Sequence, residues 1–182
     1  GGSDQYDPAN KPGVGEFAGA MLSEGTATKS GDDISNALQL LGTGVRIGVS
    51  GEAGAISFLA TTDKVERVMQ IVEDMLVNAS FPADAIERYR ARRLVALTQA
   101  KDRTNIIAAS VFNKTVYGTH PYGRTVNEQS VQAITRDDIV AFHQNYFKPG
   151  RAVIVVVGDV TPEHVRAEFE KAIPELASDS PL

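Results

Sequence analysis

Apolar positions along the chain change their period several times, and each change marks an element. From Val14 to Glu24 the residues Phe17, Ala18, Met21 and Leu22 recur at helical spacing, and Gly25 offers a stop. A second short helix is predicted near Asp32 to Leu41, with Ile34, Leu38 and Leu41 on one face and Gly42 after it. Between residues 44 and 61 the period drops to two. Val45, Ile47 and Val49 alternate with Arg46, Gly48 and Ser50, Gly51 to Gly54 turn the chain, and Ala55 to Thr61 returns as the second arm of a β-hairpin. Val65 to Val77 goes back to helical spacing, with Asp63 where an N-cap belongs. Phe81-Pro82 breaks the chain, and a long charged helix begins at Ala83, carrying Ile86, Tyr89, Arg93, Leu94 and Leu97 at helical intervals. Further helices are predicted from Asn105 to Tyr117, from an N-cap at Thr135 through Phe142 to about Tyr146, and from Thr161-Pro162-Glu163 to about Ile173. Arg151 to Val157 is a β-branched run of the kind expected for a strand covered on both faces.

Helices alternating with an antiparallel hairpin predict an α+β domain, helices packed on a mixed or antiparallel sheet. The turn formers crowded into residues 1–13 read as an entry loop and residues 174–182 as a C-terminal linker, so the expectation is a single domain over 1–182. Hydrophobic residues at 42% and charged residues at 23% are enough for a real core. A net charge of -5 with scattered Lys and Arg gives no footprint for nucleic acid. The longest apolar run, Ala152 to Val157, is strand-sized and far short of a membrane span. With no cysteine in the chain, thiolate catalysis, thiolate metal sites and disulfides are all excluded.

The histidines His120, His143 and His164 form no short-spaced metal pair. His120 and Tyr122 lie in Thr119-His120-Pro121-Tyr122-Gly123, which reads as a structural loop or, alternatively, as a contact to a partner or substrate chain. Arg88, Arg90, Arg92 and Arg93 cluster on the long helix. Arg88 and Arg92 are candidates for holding a carboxylate of a substrate or facing domain, against the alternative of a solvated helix face. Ser3, Ser23 and Ser50 have no neighbouring His and acid, so serine hydrolysis has no support.

Three segments in fixed order carry a family resemblance. They are Asp7-Pro8 through Lys11-Pro12-Gly13 into Met21-Leu22-Ser23-Glu24-Gly25-Thr26, then Tyr117-Gly118-Thr119-His120-Pro121-Tyr122-Gly123, and finally Ala133-Ile134-Thr135 leading to Tyr146-Phe147-Lys148-Pro149 and Val156-Val157-Gly158-Asp159. Together they resemble the first half of a subunit of the pitrilysin/insulinase metallopeptidases, the inverted zincins that include mitochondrial processing peptidase and many bacterial zinc proteases. The resemblance implies the LuxS/mitochondrial processing peptidase-like α/β sandwich. Its usual opening strands would fall before Gly1, which makes an N-terminally truncated domain of a longer protein the expectation.

Active members of that family carry His-x-x-Glu-His on the helix just before the Gly-Thr pair, because imidazoles on adjacent turns grip one zinc while the glutamate activates its water. Counting back from Gly25-Thr26, the resemblance places the first histidine at Glu16, the glutamate at Gly19 and the second histidine at Ala20. The third ligand, a glutamate of the long helix, falls on Ala96, and a supporting acidic position on Tyr89. These degenerate positions imply a domain with no catalytic residue and no metal ligand, inactive by itself. The zinc is then expected in a homologous catalytic domain or subunit, within a parent zinc metalloendopeptidase acting on peptide substrate. Resembling proteases bind extended peptide by strand addition, which makes the edge of the hairpin at Ala55 to Thr61 a contact of interest. The alternative is a non-enzymatic assembly or peptide-binding module of the same fold. Nothing in the chain fixes a compartment, although similarity to secreted bacterial proteases leans toward the bacterial periplasm or envelope.

Overall fold

The computed structural model describes residues 4–50, 53–147 and 152–172. A 3-10 turn at Asp4–Tyr6 leads into α1 (Val14–Met21), which is short and almost wholly enclosed: Val14, Phe17, Ala18, Met21 and the following Leu22 are all buried. α2 (Gly31–Leu40) starts at a capping box, where the Ser30 hydroxyl accepts from the Asp33 N–H and the Asp33 carboxylate accepts from the Ser30 N–H. β1 (Val45–Ser50) and β2 (Ala53–Phe58) pair antiparallel, with Val45 opposite Phe58 and Ile47 opposite Ile56. There follow α3 (Val65–Val77), α4 (Ala83–Ala100), α5 (Thr104–Tyr117), α6 (Glu128–Ala133), α7 (Arg136–Tyr146) and α8 (Pro162–Ala172). The result is the expected α+β class, rich in helix, with one two-stranded antiparallel sheet among the described residues.

Two apolar clusters hold it together. The first gathers Phe17 and Met21 of α1, Phe81, Ile86 of α4, Val131, Ile134 and, from α7, Ile139 and Phe142. The second joins α2 to α3 through Ile34, Leu38, Val68, Val72 and Met75, and the half-buried Val45, Ile56 and Phe58 of the hairpin close over it. Ile47 and Leu76 pack against both clusters, so the hairpin and the end of α3 tie the two halves together.

Several expectations need correction. Residues 152–157 form no strand: Val153, Val155 and Val157 are 84%, 82% and 93% exposed. β-branched residues favour a strand only where a neighbouring strand supplies hydrogen bonds and packing, and among the described residues none lies beside this run. α3 is entered through Lys64 with no side-chain cap, not through Asp63, whose carboxylate is bonded to Thr61 instead. The first helix stops at Met21, short of Glu24, and α6 was not foreseen. The entry loop is not merely connecting, because Asp7 caps α1. Pro149-Gly150, Arg151, Ile173 and the linker at 174–182 lie outside the described residues.

Asp74 of α3 anchors the segment before α2. Its carboxylate accepts from Lys29 Nζ at 2.7 Å, Asn78 Nδ2 at 2.9 Å and Thr26 Oγ1 at 3.1 Å. Burial works to raise its pKa, but the hydrogen bonds from Lys29, Asn78 and Thr26 outweigh it and hold the carboxyl below its ordinary value. A carboxyl lowered on folding contributes stability above its unfolded pKa of about 4, and that contribution is lost as pH falls through the lower folded value. Asp74→Asn should therefore cost about 1 kcal/mol at neutral pH and distinctly less in the acid range below about pH 4. Urea midpoints of parent and variant at the two pH values check this.

Candidate functional site

Some of the positions singled out in the sequence, Glu16 of α1 and Tyr89, Arg92 and Ala96 of α4, lie on the two helices that meet in one seam. Residues 89, 92, 93 and 96 stand at i, i+3, i+4 and i+7 along α4 and so share one helix face. Tyr89 donates its hydroxyl to Glu16 Oε1 at 2.7 Å, and Arg93 Nη2 lies 3.0 Å from Glu16 Oε2, so both oxygens of the α1 carboxylate are engaged. Beneath this contact the Tyr89 ring meets Phe17 edge-on, with centroids 4.8 Å apart. Burial first, and then the hydrogen bond and charge of Glu16, push the Tyr89 phenol well above its ordinary pKa, which keeps it a hydrogen-bond donor rather than a base.

The other arginines of α4 have distinct surroundings. Arg90 donates to the carbonyls of Val131 and Ile134, satisfying the C-terminal end of α6, and its guanidinium lies 5.7 Å from the Phe17 centroid. Arg88 pairs with Asp84 on its own helix and with Glu24 at 3.2 Å. Arg92 rests 5.7 Å over the Tyr89 ring and, among the described residues, has no carboxylate partner. Of the two candidates for an outside carboxylate, Arg88 is thus occupied and Arg92 open.

Gly19, on the buried side of α1, lies so close to the hairpin that a Cβ there would stand 2.8 Å from Val49 Cγ2. Ala20 is half-buried against the first cluster, and Ala96 is exposed on α4. A zinc ion needs several donor atoms with free lone pairs. Of Glu16, Gly19, Ala20, Tyr89 and Ala96 only Glu16 and Tyr89 carry a side-chain oxygen; these two are bonded to each other, and Arg93 takes the second oxygen of Glu16. Zinc does not fit these residues, and no group of three or more His, Cys, Asp or Glu side chains able to hold a metal occurs among the described residues.

The histidines lie apart from this seam and from each other. His120 is exposed, and its Nδ1 accepts from the Tyr122 N–H at 3.3 Å; the two rings stand edge to face 4.8 Å apart, beside Tyr117. This is the geometry of an aromatic turn that holds its own shape. His143 Nε2 is 2.7 Å from the Leu76 carbonyl and its ring stacks on Phe147, while His164 sits exposed in the first turn of α8. Sequence reading did not single out Glu16 and Arg93 as partners. The available signal was an acid on the first helix and an excess of arginine on the fourth.

The sequence pattern that defines the insulinase family, peptidase family M16, matches residues 1–129, and the pattern of the peptidase M16 inactive domain matches residues 133–181. The chain belongs to the insulinase family. An uncharacterized zinc protease of Mycobacterium leprae is 26% identical over 161 residues, covering 87% of this chain and 36% of the relative. A probable mitochondrial-processing peptidase subunit beta of Arabidopsis thaliana is 24% identical over 177 residues, covering 96% of this chain and 33% of the relative. The crystal structure of a peptidase M16 inactive domain from Pseudomonas fluorescens superposes with a TM-score of 0.88 at 27% identity, covering all of this chain and 45% of that one. The chain spans about a third of the length of these two curated relatives. The insulinase-family assignment agrees with the resemblance read from the three ordered segments, and these relatives are named as an uncharacterized zinc protease and as a probable mitochondrial-processing peptidase subunit beta.

The contact that closes the seam can be weighed. Tyr89→Phe removes a hydroxyl whose partner is a carboxylate and should lower stability by about 1 kcal/mol. Coupled with Glu16→Gln in a double-mutant cycle, the two changes should be less than additive. Fully additive losses in chemical denaturation would mean that the hydrogen bond contributes nothing.

Proposed function

We propose that this chain is a non-catalytic unit of a zinc metallopeptidase of the insulinase family, which helps to enclose and position a peptide while a homologous domain or subunit carries the zinc. One observation carries the reading. On the α1/α4 face where the resemblance puts the metal and its base, Glu16, Tyr89 and Arg93 close upon one another. A guanidinium 3.0 Å from the lone carboxylate repels a divalent cation, and glycine and alanine at 19, 20 and 96 neither ligate metal nor move a proton. Glu16, Gly19, Ala20, Tyr89 and Ala96 are on this reading the vestige of a catalytic site.

Two features fit a unit that works beside others. α5 has no buried residue, with Val111, Phe112 and Val116 largely exposed, and the apolar run 152–157 is bare. On this reading residues 1–182 are one domain of a larger assembly and such surfaces are covered there. Elemental analysis after dialysis against zinc should find far less than one ion per chain, and no cleavage of an unstructured peptide should follow zinc addition. One tightly held zinc per chain, removed by Glu16→Ala, would overturn the proposal.

A further inference from the structure

The face of α4 that does not fit zinc is not merely empty, because its charge has changed sign. Between positions 89 and 96, where the resemblance expects carboxylates, the same helix face carries Arg92 and Arg93. Arg93 neutralises Glu16, and Arg88 is neutralised by Asp84 and Glu24. That leaves Arg92 as a cation with no carboxylate partner among the described residues, braced from below by the Tyr89 ring at 5.7 Å. Beside it, the Nε–H of Arg93 is buried without an acceptor. Buried donors in folded proteins nearly always have a partner, so the α1/α4 seam is short of acceptors and offers Arg92 none from within. One turn further along α4, Val95 is 57% exposed and Ala96 is exposed, giving the anchor an apolar neighbour.

We propose that this face binds the side-chain carboxylate of an acidic residue in an extended peptide, with Arg92 as the anchor, Tyr89 fixing the guanidinium from below, and Val95 and Ala96 receiving an adjacent apolar side chain. A guanidinium resting over an aromatic ring keeps its N–H groups free, and they match the two oxygens of a carboxylate. Glu16, the one acid in the seam, does not oppose this, since its charge is taken by Arg93 and its second oxygen by the Tyr89 hydroxyl. The inference rests on the peptide-enclosing role proposed above and names the class of peptide.

The test is fluorescence anisotropy at low salt with the 182-residue chain and a short labelled, C-terminally amidated peptide containing Asp and Glu among apolar residues, beside its Asn and Gln counterpart. The acidic peptide should bind about tenfold or more tighter. Arg92→Ala should erase the difference, and Arg92→Glu should reverse it. Ala96→Glu, which sets a carboxylate one turn from Arg92 without removing it, should also weaken the acidic peptide. If both peptides bind alike, or the preference survives Arg92→Ala, the charge assignment is wrong while the enclosing role stands. If a neutral peptide with a free C-terminus binds as tightly as the acidic one, the site reads chain ends and the side-chain assignment falls. If neither peptide binds, the Arg92 assignment falls, while the enclosing role is decided by the zinc and cleavage measurements above.

Discussion

Gly19→Glu, which puts an acid where the resemblance expects the family base, should destabilise the fold by about 3 kcal/mol or more. The reason is space before it is charge. Gly19 is buried against β1, and a Cβ there comes within 2.8 Å of Val49 Cγ2 and 3.5 Å of the Val49 nitrogen. Val49 is a short, branched side chain with one favoured rotamer and little room to retreat. Helix propensity acts in the opposite direction, since alanine is favoured over glycine inside a helix by about 1 kcal/mol. Overpacking costs about 1–3 kcal/mol, so Gly19→Ala should still come out destabilising, and the glutamate adds a carboxylate with no partner in an apolar setting. Val49→Ala should relieve part of the loss, with a coupling of about 1 kcal/mol in a double-mutant cycle read by urea denaturation. A Gly19→Ala variant more stable than the parent would show that helix and hairpin are not in contact as described. An acid at position 19 would thus require β1 to move.

Asp7→Ala is expected to be as damaging, at about 3 kcal/mol, though it lies in a segment without regular structure. Asp7 is only 5% exposed, and its two carboxylate oxygens accept from the N–H groups of Gly13 at 2.5 Å and Gly15 at 2.7 Å. Gly13 enters α1 with φ at 110°, a left-handed backbone that glycine adopts without strain, and this turns its N–H toward the carboxylate. Removing the carboxylate leaves two buried donors at a helix N-terminus and the positive end of its dipole uncompensated. Asp7→Asn keeps one acceptor and should lose about half as much. A thermal or urea shift smaller than about 0.5 kcal/mol for Asp7→Ala would mean that water reaches the N–H groups.

How far the sequence reveals this depends on the range of the interaction that decides each feature. α3 was legible to the residue, Val65–Val77, because its apolar face repeats without interruption. The start of α7 was legible because Thr135 and Asp138 make their capping box within four residues. α6 escaped, although Asn127 and Ser130 form the same kind of box, because a six-residue helix is too short to show a period. Asp7 looked like part of a turn because its acceptor role depends on how the chain folds back six and eight residues later. The residue types at positions 16, 19, 20 and 96 could be read directly. What closes the seam was not, since Tyr89 and Glu16 are 73 positions apart and no local pattern announces their contact.

The bare run at residues 152–157 sets a practical condition on the chain as a solute. Six uncharged, mostly β-branched residues without proline have the composition from which identical segments stack into dry, interlocked fibrils. With alternate valines facing water, concentration favours copies meeting along that segment, and low net charge near the isoelectric point of about 5.2 would remove the repulsion that keeps them apart. Clarity in solution should therefore fail first at mildly acid pH.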